Sequence, residues 1–198
     1  MLVLSTAYLP PISYFAAMAK DGNVVIESHE TYLKQSYRNR CVFLGAQGPE
    51  PLQIPIVHNA TAIRDIEIDY KTPWLKVHER AIMSAYGMSP FYEHYSPAIF
   101  EILESAPKYL FDLNSRLTEY LIGKLYLDVR LTQTKDYVKD YGPEATDLRY
   151  LISPKKPSTF ISKPYFQVFT PTLKTFRSDL SVIDLLFNEG PSAETFLK

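Results

Sequence analysis

Residues 1–28 read MLVLSTAYLPPISYFAAMAKDGNVVIES, and they decide the class of fold. Leu2-Val-Leu4 is a short apolar run of buried-strand character, ended by Pro10-Pro11. Ile12 to Lys20 predicts a helix, with Gly22 placed to close it. Asn23 to Ser28 predicts a second strand. Strand, helix and strand in so short a span form a βαβ unit, whose two strands run parallel. The chain therefore reads as α/β from its first residues.

Residues 1–19 carry no charge, and Ala17-Met-Ala19 resembles a signal-peptidase site. No Lys or Arg precedes the apolar run, however, and Pro10-Pro11 interrupts it, so the segment is read as part of the fold. No apolar run approaches the length of a membrane span. Cys41 is the only cysteine, which excludes an intrachain disulfide and fits a reducing, cytoplasmic setting. With 15 Tyr and 11 Phe the chain has the aromatic content to bury a core. One domain over residues 1–198 is expected. A formal net charge of -1 provides no global field toward nucleic acid, so no nucleic-acid partner is expected.

Residues 40–44 and 52–57 predict two further strands, joined as a hairpin through Gly45, Gly48, Pro49 and Pro51. Ile66, Ile68 and Tyr70 alternate with acids and predict a half-exposed strand. A helical block follows from 73 to 124. Thr72-Pro73 opens its first helix, with Trp74, Val77, His78, Ala81, Ile82 and Ala85 on one face. Ser96-Pro97 opens a second helix, and residues 109–123 predict a third. Leu125 to Leu131 alternates as a strand. Residues 133–163 form a polar excursion, read as a functional or mobile loop. Tyr165 to Phe169 is strand-like, and Asp179 is placed to cap a last helix, 180–187, stopped by Gly190-Pro191. The expected whole is a mixed sheet of about five or six strands, opened by the βαβ unit and flanked by the helical block.

His29 to Arg40, HETYLKQSYRNR, sets His29, Lys34, Arg38 and Arg40 among tyrosines directly after the second strand. Ligands of open α/β sheets gather at the carboxyl ends of strands, where residues 5–11 would meet residues 29–34. The stretch is thus a candidate site for an anionic small molecule, a sugar nucleotide or similar; a solvated basic loop is the plain alternative. Lys34, Arg38 and Arg40 would hold anionic groups, Tyr8 and Asn39 would orient the substrate, and His29 is the candidate general base. Ser5, Thr6 and Tyr14 offer further hydroxyls. Arg149, with Lys155 and Lys156, forms a second basic group, either a solvated loop or a lid. Gln167 shares a face with Tyr165 and would contact ligand or pack at an edge. Asp112 and Asn114 either cap a helix or point into the site.

Neither G-x-G-x-x-G nor the P-loop pattern occurs, and no zincin or G-x-S-x-G motif is present. The four histidines and single cysteine lack the spacing of a metal site, and the sequence names no cofactor. His78 reads as a packed core histidine, and Cys41 as buried and inert.

Several stretches together resemble the WbqC-like protein family, in its shorter form seen among Bacteroidetes-type bacteria. They are Ala7-Tyr-Leu-Pro-Pro-Ile-Ser-Tyr-Phe15, Lys34 to Arg40, Leu52-Gln-Ile-Pro-Ile-Val57 and Trp74-Leu-Lys-Val-His78 with Tyr86 and Pro90. Tyr165-Phe-Gln-Val-Phe169 and Leu180 to Gly190 complete the set. The family is broadly linked to O-antigen and other surface-polysaccharide gene clusters. The resemblance implies a cytoplasmic group-transfer enzyme acting on an activated sugar or acyl donor, or else a non-catalytic binding or accessory protein of the same pathway. It also implies a distant likeness to nucleotidyltransferase-like α/β folds, whose H-x-G-H motif is absent from Pro11-Ile-Ser-Tyr14. Thr6 stands where the family usually has glutamine, and residues 131–164 lack the longer family's serine- and glycine-containing segment.

Overall fold

β1 (Leu2–Ser5) and β2 (Asn23–Glu27) pair in parallel from Leu2 opposite Val24 to Ser5 opposite Glu27, with α1 (Ile12–Asp21) between them in sequence. This is the βαβ unit of the opening residues. A computed structural model describes all residues from 1 to 198. Gly22 ends α1 with φ 73, a left-handed conformation that only glycine adopts freely, and its N–H bonds the Met18 carbonyl.

The strands divide between two sheets. β5 (Arg130–Gln133), β2, β1 and β6 (Thr146–Asp147) form a four-stranded parallel sheet in that order. β3 (Arg40–Gly45) and β4 (Gly48–Gln53) form a separate antiparallel pair. From β1 the chain steps outward to β2 and then β5. It then crosses back to lay β6 on the other side of β1. That reversal places a topological switch point between β1 and β6, and a crevice opens at such points beyond the carboxyl ends of the strands.

α2 (Trp74–Tyr86), α3 (Tyr92–Glu104) and α4 (Leu110–Lys124) form the helical block. α5 (Thr170–Leu173) is a single short turn, and α6 (Val182–Glu189) is almost wholly buried. One continuous apolar cluster joins these helices to the sheet, from Leu2 and Phe15 through Ile82, Ile99 and Leu117 to Phe187. Tyr8 is enclosed there and shares a 2.9 Å hydrogen bond with His78 Nδ1. Burial drives the His78 pKa down to about 4, so the core histidine is neutral.

Several local expectations shift. The prolines taken as the hairpin link are strand residues: Pro49 pairs with Leu44 and Pro51 with Val42, leaving Ala46 and Gln47 as the turn. A two-stranded sheet has only edges, so proline's missing N–H costs little there. α3 begins four residues before Ser96 and carries Pro97 inside it. The buried stripe of Tyr95, Ile99 and Leu103 outweighs the lost backbone bond. Val77 is exposed rather than on the packed face of α2. Ile66 and Ile68 are buried as alternation required, but they form isolated bridges, not a ladder. Strand β5 starts only at Arg130, and residues 165–169 form no strand. The 133–163 excursion supplies β6. Asp179 accepts the Ser13 N–H at 2.7 Å, capping the first turn of α1 instead of α6.

Asp184 on α6 is buried, and its Oδ2 accepts Tyr165 Oη at 2.5 Å and Gln167 Nε2 at 3.0 Å. Burial raises its pKa to about 6, against the opposing effect of these donors. Between its ordinary value and about 6 the native state holds a proton that the unfolded chain releases. Stability from this group is therefore full at low pH and is lost as pH rises through about 6. Urea unfolding at pH 4, 5, 6 and 7 tests this: wild type should lose stability relative to Asp184→Asn across that interval. A constant difference between the two proteins would refute the assignment.

A carboxylate, serine and arginine crevice

Ser5 is the last residue of β1, and its hydroxyl meets the two buried arginines of the molecule at the switch point. Arg38 donates from Nη2 to Ser5 Oγ at 2.7 Å. It also grips Glu30 bidentately, Nε to Oε1 at 2.8 Å and Nη2 to Oε2 at 2.5 Å. Ser5 Oγ has one hydrogen and two acceptors for it, Glu30 Oε2 at 3.1 Å and the Arg149 carbonyl at 3.0 Å. The arginine loop is braced from outside. Asn114 Nδ2 on α4 donates to the Arg38 carbonyl, and Tyr14 Oη on α1 donates to the Ser5 carbonyl, each at 2.8 Å.

Arg149 follows β6 and is 3% exposed. Asp147 pairs with it through Nε and Nη2, and the Val138 and Lys139 carbonyls accept from Nη1 and Nη2. Glu27 Oε2 stands 3.5 Å from Nη1. The rings of Tyr137, Tyr141 and Tyr150 surround the guanidinium at 4.9–5.9 Å. Tyr150 also lies 5.9 Å from Arg38, so one ring joins the two arginines. Glu27 ties the excursion to the sheet: it accepts from the Val138 N–H, Thr134 Oγ1 and Tyr141 Oη.

The two glutamates are pushed apart. Burial raises the Glu30 pKa, and the Arg38 pairing only partly offsets it. Burial also acts on Glu27, but four donors, among them the His29 N–H, outweigh it and leave its carboxyl below the ordinary value. A cavity of about 10 Å³, room for one water-sized group, is lined by Ser5, Thr6, Tyr14, Arg38, Leu148 and Arg149 among others. Every nitrogen of Arg149 has a protein acceptor. Arg38 Nη1 has none, and Arg38 is one of the residues that line the cavity.

The structure brings Arg38 and Arg149 together across 111 residues of chain (149 − 38), which the sequence placed in two separate basic groups. The cations of 34–40 diverge. Lys34 is exposed, and Arg40 lies along the hairpin with Nη2 on Gln53 Oε1. Asn39 is buried and donates to the Ile54 carbonyl. Tyr8 is held by His78, and Gln167 by Asp184 and the Arg177 backbone, away from the cavity lining. His29 is half-buried, and its ring joins no hydrogen bond of the cluster. Glu27, Glu30 and Asp147 were missed as site residues. Glu27 left a signal, as an acid ending the apolar run Val24-Val25-Ile26, where a charge needs a partner.

Fold and crevice together define a parallel α/β protein with a polar site at its strand ends. The chain belongs to the WbqC-like protein family, whose model matches residues 6–167, from the exit of β1 through the whole excursion. It is also similar to a Mycobacterium tuberculosis (strain ATCC 25618 / H37Rv) protein called "Uncharacterized protein Rv1507c". The two are 25% identical over 224 residues, covering 99% of this chain and 96% of the other. No solved structure matches the chain, and no helix is long and apolar enough to cross a membrane.

Removing Arg38 alone leaves Glu30 buried without its counter-ion. Arg38→Ala should lose about 3–5 kcal/mol in urea unfolding. The double variant Arg38→Met with Glu30→Leu should recover much of that loss, because burying the pair itself is costly. Equal losses in the single and double variants would show that the pair is not what sets the cost.

Proposed function

We propose that this WbqC-like chain is a cytoplasmic group-transfer enzyme that accepts an activated sugar or acyl donor in surface-polysaccharide assembly. One observation carries the reading: a serine hydroxyl held between a carboxylate and a guanidinium, at the switch point of a parallel sheet, on the wall of a cavity. Ser5 Oγ is placed to take a proton from an incoming acceptor as it passes its own to Glu30. A carboxylate whose pKa is raised by burial is a stronger base than an unperturbed one, which suits Glu30 to that task. Glu30 thus takes the base role for which His29 was the sequence candidate. Arg38 Nη1 supplies the donors for a negative charge on the donor group. The anionic partner is therefore met by Arg38, with Arg149 holding the wall behind it. Leu148, Arg149 and Ile152 line the cavity, so the excursion acts as a lid that must move for a ligand larger than water to enter.

A second reading has its own support. The cluster sets three carboxylates against two guanidiniums, and the cavity is small as it stands. A binding or accessory protein that keeps the crevice without chemistry fits those facts.

A thermal-shift screen of sugar nucleotides and acyl donors, followed by turnover assays, separates the readings. A true donor at about 100 times its Kd should stabilise the protein by about 2.7 kcal/mol. Ser5→Ala should keep that stabilisation and lose turnover by roughly 10²–10⁴-fold. Binding with no turnover by wild type supports the accessory protein. Absence of stabilisation by any anion at millimolar concentration removes the site.

A further inference from the structure

From Tyr150 to Ser178 the chain carries five cations, Lys155, Lys156, Lys163, Lys174 and Arg177, and no acid, in a protein of formal net charge -1. All five are exposed, and none forms a salt bridge. Lys156 Nζ is turned to the Tyr150 carbonyl at 3.1 Å, so the other four carry the free charge. Within this segment residues 161–167 have two sides. Ser162, Tyr165 and Gln167 are buried, while Ile161, Lys163 and Phe166 are exposed. The inward side is fastened: Tyr165 and Gln167 both donate to Asp184, and Phe160 packs against the core just before Ile161. Ile161 is 91% exposed and Phe166 55%, so two apolar side chains project into water from an anchored backbone. Gln167 bonds the Arg177 backbone in both directions, which brings that cation alongside. The acids nearest in the chain and contacts are engaged, Glu189 by the Phe166 N–H at 3.2 Å and Asp179 by the Ser13 N–H.

Single apolar side chains are ordinary on a protein surface. Here two of them flank an unpaired lysine on one outward side. Whatever covers the strip must therefore take apolar groups and positive charge within the same short interval. Nucleic acid would meet the cations with phosphate and stack on a ring, but it offers nothing to the aliphatic Ile161. A protein interface gathers its apolar groups at a core from which lysine is depleted, whereas Lys163 stands between them. A bilayer surface with acidic headgroups fits both demands. Its acyl boundary lies just beneath its phosphates, and a lysine stem can cross that layer while its ammonium stays among them.

We infer that the outward side of residues 161–167, with Arg177 beside it, docks on a membrane surface of acidic phospholipid. Ile161 and Phe166 enter the headgroup boundary, and Lys163 and Arg177 face the phosphates. Lys155 and Lys174 add to the positive field that draws the protein to the surface. The contact is peripheral, because no helix is long and apolar enough to cross a membrane. The inference goes beyond the reading of the crevice and stands without it.

Flotation of the whole chain with phosphatidylcholine vesicles, made with and without phosphatidylglycerol, tests the docking. Binding should require phosphatidylglycerol and weaken as salt is raised. Lys163→Glu should weaken it roughly tenfold, and the double variant Ile161→Ser with Phe166→Ser by roughly the same factor. These side chains stand in water, so both variants should keep the wild-type melting temperature. Phe166→Trp gives a direct report: its emission should shift to the blue on acidic vesicles, above the constant signal of the buried Trp74. No binding to acidic vesicles, equal binding to phosphatidylcholine alone, or binding unchanged in the double variant overturns the proposal. So does RNA or heparin bound as tightly as acidic vesicles, which would mark a general polyanion patch. A dimer that Ile161→Ser separates would assign the strip to a second copy of the chain instead and equally overturn it.

Discussion

The buried pair of Arg38 and Glu30 is the interaction on which the crevice depends. Both side chains are almost wholly out of water, and ions in that position are tolerated only when each is paired and well supplied with hydrogen bonds. That requirement organises the surroundings. Ser5 meets both partners, Asn114 fixes the Arg38 backbone from α4, and Tyr14 fixes the Ser5 backbone from α1. Elements far apart in sequence are thereby held to one point at the end of β1. A pair so costly to bury is weak evidence of stability for its own sake, and its position beside a cavity supplies a reason for it.

A second anchor closes the opposite side. β6 is only two residues long, too little ladder to hold a polar excursion by itself. Its hold is extended by backbone bonds to Met1 and Val3 and by Arg149, whose donors satisfy Asp147, Val138 and Lys139. Glu27 then joins β2 to residues 134–141. The excursion is thus held by these polar contacts together with Leu148, Ile152 and Phe160, which pack against the core.

The βαβ opening, the helical block and the buried Cys41 and His78 were legible in the sequence because each follows from apolar periodicity or a glycine stop. Boundaries failed where local chemistry competed with packing. Pro97 reads as a helix start, yet the stripe through Tyr95 and Ile99 carries the helix across it. Pro49 and Pro51 read as a link, yet an edge strand tolerates them. The site was half legible. Strand-end logic pointed to residues 5–11 and to Arg38, which do meet there. It also grouped Lys34 and Arg40 with Arg38, although neighbours in a loop need not face one way. Arg149 was named, but no periodicity links it to Arg38. Only β6 crossing to the far side of β1 brings the two together.

The acids explain why counting cations could not describe this crevice. Two glutamates separated by two residues stand in opposite environments. Glu27 receives four donors that hold its carboxyl below the ordinary value, an anion that anchors residues 134–141. Glu30 is raised by burial, and its pairing with Arg38 offsets this only in part. The two environments drive neighbouring carboxyls apart, Glu27 toward the ionised form and Glu30 toward the protonated one. Every nitrogen of Arg149 is engaged by acceptors beside Glu27. Arg38 is shared between Glu30, Ser5 and the cavity wall, and its Nη1 has no protein acceptor.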